Sequence, residues 1–158
     1  MFQFLTNLLG GPASKTKQTL PTLNDPLFGP LVYFPMTKVW SGKIQFPTPD
    51  REIEILVDSD DSGPAESQRE FFRALVARWP EIQAAIGEIL FPPIKKWAKS
   101  DYDEANPWAY FDLRGIRIPT LATEPVEWAI SYWCPTNAHY FDVQMSGWKP
   151  DGLDISRK

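Results

Sequence analysis

Two stretches near the C-terminus alternate apolar and polar side chains regularly enough to predict both their conformation and their pairing. The first is Val126–Cys134 and the second is His139–Ser146, separated by four residues that favour a turn. Alternation with a period of two is typical of strands that bury one face. The predicted hairpin register places these residues opposite each other on the core face: Trp128 and Met145, Ile130 and Val143, Tyr132 and Phe141.

The N-terminal half predicts a second hairpin by the same argument. Its strands are Thr37–Phe46 and Glu52–Asp58, joined by a turn rich in proline. The alternation predicts a register with three facing pairs: Phe46 and Ile53, Ile44 and Ile55, Gly42 and Val57. Shorter strands are expected at Leu31–Phe34 and Leu113–Pro119.

Two helices are predicted between these groups of strands. The first begins at Pro64 and the second at Pro80, and Pro92-Pro93 is expected to end the second. Each helix carries an apolar stripe, formed by Phe71, Phe72, Leu75, Val76 and Trp79 in the first and by Ile82, Ile86, Ile89 and Leu90 in the second. The order of strands, helices and strands predicts an α+β fold, an antiparallel β-sheet with two consecutive central helices packed on one face.

The first 26 residues differ from the rest of the chain. Apolar residues at helical spacing occupy positions 1–9, Gly10-Gly11-Pro12 ends that pattern, and residues 13–26 are predicted to be a linker. We therefore expect an amphipathic segment and flexible linker at 1–26 and a single α+β domain at 27–158. A secretory signal would need positive charge before the apolar run, which is absent, so a cytoplasmic location is expected.

Composition excludes several classes of function. With one Cys and one His, the chain cannot build a disulfide framework, a multi-Cys zinc site or a His-rich metal cage. The net charge of −4 argues against a general nucleic-acid binder. No apolar run approaches the roughly 18 residues of a membrane helix. We expect no cofactor, no nucleic-acid partner and no membrane span.

The acidic loop after the predicted strand Glu52–Asp58 is a weak candidate for a metal site. Asp58, Asp60 and Ser62 stand at positions 1, 3 and 5 of a calcium-binding loop, but Arg69 takes position 12, where a bidentate Glu is required. The favoured interpretation is that these carboxylates cap the following helix. The alternative is a small hydrolase or metal-dependent enzyme that uses Asp58–Asp61.

Cys134 and His139 fall opposite each other in the predicted C-terminal hairpin. A Cys–His pair is the minimum for thiolate catalysis. By the alternation of side chains along the strands, however, both residues point to the same side as the inward aromatic residues. A buried Cys is usually an unreactive small hydrophobe. Packing is the favoured interpretation, and we predict no catalytic residue.

Aromatic residues supply the candidate binding residues. Trp133 and Tyr140 are predicted to pair on the side of the hairpin opposite the core, with Asp142 next to them. Such residues beside small and polar neighbours match the composition of binding hot spots, although local support of the sheet is the alternative. Trp40 and Trp148, each near a glycine, are further candidates for ligand stacking, against an alternative role in the core.

Several short motifs together resemble an uncharacterised bacterial family of unknown function. They are Phe28-Gly29-Pro30-Leu31, Trp40-Ser41-Gly42, Ile53-Glu54-Ile55 with Asp58, Gly63-Pro64 with Gln68 and Phe72, His139–Val143, and Gly147-Trp148-Lys149-Pro150. The resemblance extends from Leu27 to Asp154. It implies a cytosolic bacterial α+β domain, some relatives being suspected immunity or accessory proteins, and it supplies no catalytic residue.

The leading hypothesis is therefore a non-enzymatic protein-binding module of the immunity or accessory type with an unknown protein partner. The hydrolase or metal-dependent enzyme is the second hypothesis. A structural component that forms homo-oligomers through sheet edges is the third.

Overall fold

A computed structural model describes residues 19–47 and 50–157 of the chain. In this part of the chain there are eight strands: β1 (Thr22–Asp25), β2 (Gly29–Phe34), β3 (Val39–Pro47), β4 (Asp50–Asp58), β5 (Asp112–Ile118), β6 (Glu127–Cys134), β7 (His139–Ser146) and β8 (Lys149–Arg157). Two helices, α1 (Glu66–Ala77) and α2 (Trp79–Ala98), lie between β4 and β5. Short 3-10 turns follow at Lys99–Asp101 and Pro107–Tyr110. The fold is α+β.

The eight strands form one sheet in which each strand lies beside its neighbours in sequence. All neighbouring pairs are antiparallel except β4 and β5, which are parallel. The predicted wholly antiparallel sheet is therefore wrong at this junction. The physical reason is the connection after α2, which returns the chain to the end of the sheet where β4 begins. Arg51 Nη1 of β4 lies 2.9 Å from Asp112 Oδ1 of β5, near the start of both strands.

Both helices contact the sheet face that carries the large apolar side chains, which we call the inner face. Ring centroids are 4.8 Å apart between Trp79 and Phe46, and 5.6 Å apart between Phe71 and Trp128. At the end of α2, Trp97 contacts Phe141 of β7 at 5.7 Å. The opposite side of the sheet, which carries the alternate residues of each strand, is the outer face.

The predicted register is correct in one of the two hairpins and shifted in the other. In β6–β7 the three predicted pairs are confirmed. In β3–β4 the predicted register is wrong by two residues, because Ile44 faces Ile53 and Gly42 faces Ile55. Pro47 pairs with Asp50, so the turn is shorter than predicted. A shift of two keeps every side chain on its face, and Ile53 and Ile55 are buried as expected.

Three further differences concern element boundaries. Four residues of the predicted linker, Thr22–Asp25, form β1, and β8 was not predicted. α2 continues through Pro92-Pro93 to Ala98, so the predicted stop is wrong. Burial of Ile94 to 2% exposure and the contact of Trp97 with the sheet hold this last part of the helix in place. The predicted helix at residues 1–9 lies outside the described residues.

Gly42 is required by the close approach of β2. A Cβ atom at this position would lie 2.6 Å from the Pro30 carbonyl oxygen and 2.6 Å from Leu31 Cδ2. We expect Gly42→Ala to lower the free energy of unfolding by about 1–3 kcal/mol, the usual cost of overpacking, measured by urea denaturation. Gly152→Ala is the control, since its Cβ would meet only Gln144 atoms at 3.5 Å or more. Equal stability of the two variants would contradict this explanation.

Candidate functional site

The pairing of β6, β7 and β8 brings two rows of side chains together on the outer face. One row consists of Ser131, Asp142 and Asp154, and the next of Trp133, Tyr140 and Ser156. We call these six residues the outer-face patch. They come from three strands that are consecutive in sequence, so the two turns between the strands and the alternation within each strand are sufficient to position them.

Trp133 and Tyr140 form the aromatic part of the outer-face patch. They are direct cross-strand partners, with ring centroids 4.7 Å apart and the ring planes inclined at 52°. Their neighbours Tyr132 and Phe141 are buried on the inner face. The sequence prediction of an aromatic pair opposite the core is therefore correct in position and in pairing.

The row formed by Ser131, Asp142 and Asp154 is polar and partly buried. Ser131 is 1% exposed and Asp142 is 5% exposed, while Asp154 is exposed. Among the described residues, no group forms a hydrogen bond with Ser131 Oγ. A buried hydroxyl without a partner costs about 1–3 kcal/mol, which makes this oxygen unusual in a folded domain. The patch contains two carboxyl groups and neither Lys nor Arg.

Towards the centre of the sheet the same row continues through Gly115 of β5 to Glu54 of β4. Burial raises the pKa of Glu54, although Ser41 Oγ donates to Glu54 Oε1 at 3.3 Å and Lys43 is close by. The row therefore carries a third carboxyl group, but one that has basic and polar neighbours of its own.

The structure does not bring Trp40 or Trp148 to the outer-face patch. Trp40 is buried, and its indole nitrogen donates to the Asp60 carbonyl oxygen at 2.7 Å. Trp148 stacks on Phe71 of α1 with centroids 4.9 Å apart, and the Arg78 guanidinium lies 5.4 Å from its ring. Both indoles therefore contact groups of their own domain, which supports the alternative role in packing.

The acidic loop is held by hydrogen bonds within the protein. Arg117 Nε donates to both Asp58 carboxyl oxygens, at 3.0 and 3.1 Å. Asp60 accepts from the Ser62 backbone and hydroxyl, and the hydroxyl bond is the main reason that the pKa of Asp60 is lowered. The part of the chain that the structure describes contains no group of three or more His, Cys, Asp or Glu residues that could hold a metal ion.

The capping interpretation of Asp58 and Asp60 is wrong. The residue that precedes α1 is Ala65, and its backbone N–H is bound by the Gln68 side chain at 2.9 Å. The Gln68 amide also donates to the carbonyl oxygens of Asp58 and Pro119, at 2.8 and 2.7 Å. Gln68 therefore joins the start of α1 to the ends of β4 and β5, a role that the sequence pattern does not show.

Cys134 and His139 are cross-strand partners, as predicted. Cys134 is fully buried, and burial raises the pKa of its thiol. The thiol is therefore protonated at neutral pH and a poor nucleophile. The His139 ring contacts Trp97 at 5.4 Å, and its Nδ1 lies 2.6 Å from the Asn137 carbonyl oxygen. These contacts are consistent with the packing interpretation.

Two residues of the outer-face patch were missed by sequence reasoning as site residues. Asp154 and Ser156 lie on β8, whose alternation is interrupted by Gly152 and by a bulge opposite Gln144 and Met145. The signal that could have identified them is Gly147, a turn residue with φ of 56° that reverses the chain directly after β7.

The comparisons with known proteins give no assignment. Family models, curated proteins and solved structures were compared with the chain, and none of them matches it. No described helix has both the length and the apolar character required to cross a membrane.

Proposed function

We propose that this chain is a non-enzymatic protein-binding module of the immunity or accessory type, and that its partner binds the outer-face patch. The observation that carries the proposal is the Trp133–Tyr140 pair beside the buried Ser131 hydroxyl, on the side of the sheet opposite the helix contacts. Trp and Tyr are enriched at binding hot spots because each offers a large rigid surface with a polar end.

The chemistry of the patch favours a partner segment that presents Lys or Arg side chains. Asp142 and Asp154 are direct cross-strand neighbours, so the patch brings two carboxyl groups together. Trp and Tyr rings also attract cations. The net charge of −4 would further increase the rate of encounter with a basic partner.

The fold arrangement is consistent with this use. With both helices packed on the inner face, the outer face is the broad surface of the sheet that the helices leave available. We place the protein in the bacterial cytoplasm, as the family resemblance implies. The enzyme alternative has less support, because Asp58 and Asp60, the carboxyl groups it would use, are engaged by Arg117 and Ser62.

The Trp133→Ala, Tyr140→Ala double variant should lose its partner. Truncation of a hot-spot aromatic residue costs about 2 kcal/mol or more in binding, so the combined loss of affinity should be at least thirtyfold. Wild type, double variant and a Trp97→Ala control are compared as baits, and the Kd of the captured protein is then measured. Trp97 belongs to α2 and is 42% exposed, whereas Trp133 is half-buried; circular dichroism must first show that Trp97→Ala keeps its fold without the Phe141 contact.

A charge variant tests the class of the partner. Asp154→Lys should slow association and weaken the salt dependence of the rate, because Asp154 is exposed at the rim of the patch. An affinity of the double variant equal to wild type would refute the site, and an unaffected association rate in Asp154→Lys would refute the basic partner. If the captured protein is a second copy of this chain, the homo-oligomer hypothesis replaces the proposal.

A further inference from the structure

A cavity opens at the end of the sheet where β4 and β5 begin. Its volume is about 350 Å³, and it is lined by the start of α2, the 3-10 turn Pro107–Tyr110 and the beginnings of both strands. Cavities of roughly 300–1,000 Å³ are the usual size for small-molecule sites. This cavity is therefore large enough for a single-ring or double-ring molecule.

The walls of the cavity are aromatic. Trp108 and Phe111 have ring centroids 6.1 Å apart, and each contacts Tyr132, at 5.8 and 6.1 Å respectively. Trp79, the first residue of α2, also lines the cavity. Aromatic walls of this kind favour a flat ring that can stack or make edge contacts.

Two polar groups in these walls have no partner. Trp79 Nε1 and Tyr132 Oη are buried, and neither forms a hydrogen bond with any described residue. Burial also raises the pKa of Tyr132, so its hydroxyl keeps its proton. By contrast, the indole nitrogens of Trp40 and Trp128 donate to backbone carbonyl oxygens at 2.7 and 2.6 Å. Both atoms are closed to solvent in this structure, so a ligand in the cavity would pair with them through a small rotation of either ring.

The remaining polar lining is balanced in charge and carries donors beside acceptors. Arg51 and Asp112 form an ion pair at 2.9 Å, and Gln83 and Asn106 each offer an amide with both donor and acceptor groups. A charged ligand would have to compete with the Arg51–Asp112 pair. A neutral ring with donors and acceptors on its edge could instead bond to both.

From these four observations we propose that this cavity is a binding site for a small, uncharged, planar heteroaromatic molecule that has hydrogen-bond donors and acceptors on its edge. The site shares no residue with the outer-face patch, although Asp112 of its lining is the cross-strand partner of Trp133. It requires no covalent step and adds a ligand-binding function to the proposed protein-binding module.

The test is a titration of the ¹⁵N-labelled full chain, followed through the indole N–H signals. Adenine, uracil and nicotinamide are the neutral probes, while benzoate and benzamidine are the charged ones. At least one neutral probe should saturate, bind more tightly than both charged probes, and move the signals of Trp79 and Trp108. The signals of Trp40 and Trp128 should stay in place. No saturable shift with any neutral probe, or tighter binding of a charged one, would overturn the proposal.

Arg51 and Arg114 provide a matched pair of variants. Both contact the Asp112 carboxylate, at 2.9 and 3.3 Å, but only Arg51 lines the cavity. Arg51→Gln should weaken binding of the neutral probe about tenfold, the effect of one lost bond to a charged group, and Arg114→Gln should leave it unchanged. If Arg51→Gln does not fold, the affinity of Asn106→Ala for the neutral probe is measured in its place. The site would be contradicted if Arg51→Gln, or Asn106→Ala in its place, left the affinity for the neutral probe unchanged. It would also be contradicted if that variant and Arg114→Gln weakened binding equally.

Tyr132→Phe separates the ligand role of the hydroxyl from a structural one. Because Tyr132 Oη has no partner among the described residues, its removal should leave the Tm unchanged or raise it. The same variant should bind the neutral probe about two- to tenfold more weakly. Tyr110→Phe is the control for stability, since the Tyr110 hydroxyl accepts from Asp103 N at 2.9 Å and donates to the Asp101 carbonyl at 2.7 Å. Its Tm should fall. A lower Tm and unchanged affinity in Tyr132→Phe would overturn the assigned role.

Discussion

Replacement of Asp25 by Ala should lower the free energy of unfolding by about 3–5 kcal/mol, the cost of removing one partner from a buried ion pair. The Asp25 side chain is fully buried, and Arg69 of α1 donates to its Oδ2 from two nitrogens, at 2.8 and 3.0 Å. Asp25 Oδ1 accepts from the backbone N–H groups of Leu27 and Phe28, at 2.8 and 2.9 Å. The variant would leave the Arg69 charge and both N–H groups without their acceptor. Urea denaturation at pH 7 measures the effect.

The exposed pair Lys43–Glu52 is the control for the Asp25 prediction. Its side chains are 72% and 59% exposed, and pairs of this kind contribute about 0–1 kcal/mol. Glu52→Ala should therefore change stability by no more than that. If the two variants were equally stable, the buried pair would not be what holds β1 to α1.

The pH dependence of the same carboxyl group follows from its environment. Burial alone would raise the pKa of Asp25, but the bonds from Arg69 and from the Phe28 and Leu27 backbone outweigh it and leave the pKa below the ordinary value of 3.8. A lowered pKa in the folded state stabilises the protein fully above the unfolded value, and this stabilisation is lost as the pH falls through the folded value. The stability difference between wild type and Asp25→Ala should shrink below about pH 4.

The second large effect is expected at Gln68, whose exchange for Glu changes almost no volume. The Gln68 side chain is 2% exposed, and its amide donates to two backbone carbonyl oxygens. A carboxylate cannot donate, so the change would place a buried charge against the oxygens of Asp58 and Pro119. We expect a loss of about 3 kcal/mol or more at pH 7, measured by urea denaturation.

Two comparisons make the Gln68 prediction specific. Glu70→Gln is the reverse exchange at an exposed position of the same helix, and it should alter stability by no more than about 0.5 kcal/mol. Protonation lets the introduced carboxyl donate one bond, and burial raises its folded-state pKa, so the difference between Gln68→Glu and wild type should narrow as the pH falls from 7 towards about 4. A loss that is the same at pH 7 and pH 4 would show that steric fit, and not charge, is responsible.

The sequence predicted those parts of the fold that depend on local periodicity. The β6–β7 register follows from alternation within Val126–Cys134 and His139–Ser146, and both strands are long enough to fix it. The parallel contact of β4 with β5 could not be predicted in this way, because it depends on where the long connection after α2 returns the chain. β1 has only four residues, and what fixes it is the distant contact of Asp25 with Arg69.

The candidate site was predictable to a similar extent. The alternation of side chains within the β6–β7 hairpin is enough to predict that Trp133, Tyr140 and Asp142 lie on the same face. Asp154 required β8, whose bulge interrupts the alternation. The cavity beside α2 was not predictable at all, because Arg51, Trp79, Trp108 and Tyr132 come from four separate segments that meet only in the folded domain.

The most direct test of the proposed function is a map of the bound partner on the surface of the ¹⁵N- and ¹³C-methyl-labelled protein. The protein captured by the wild-type bait is added, and the Trp133 indole and Ala129 methyl signals of the outer face are compared with the Trp97 indole signal of α2. The proposal predicts shifts or broadening at Trp133 and Ala129 and an unchanged Trp97. Changes at Trp97 with unaltered Trp133 and Ala129 would contradict it.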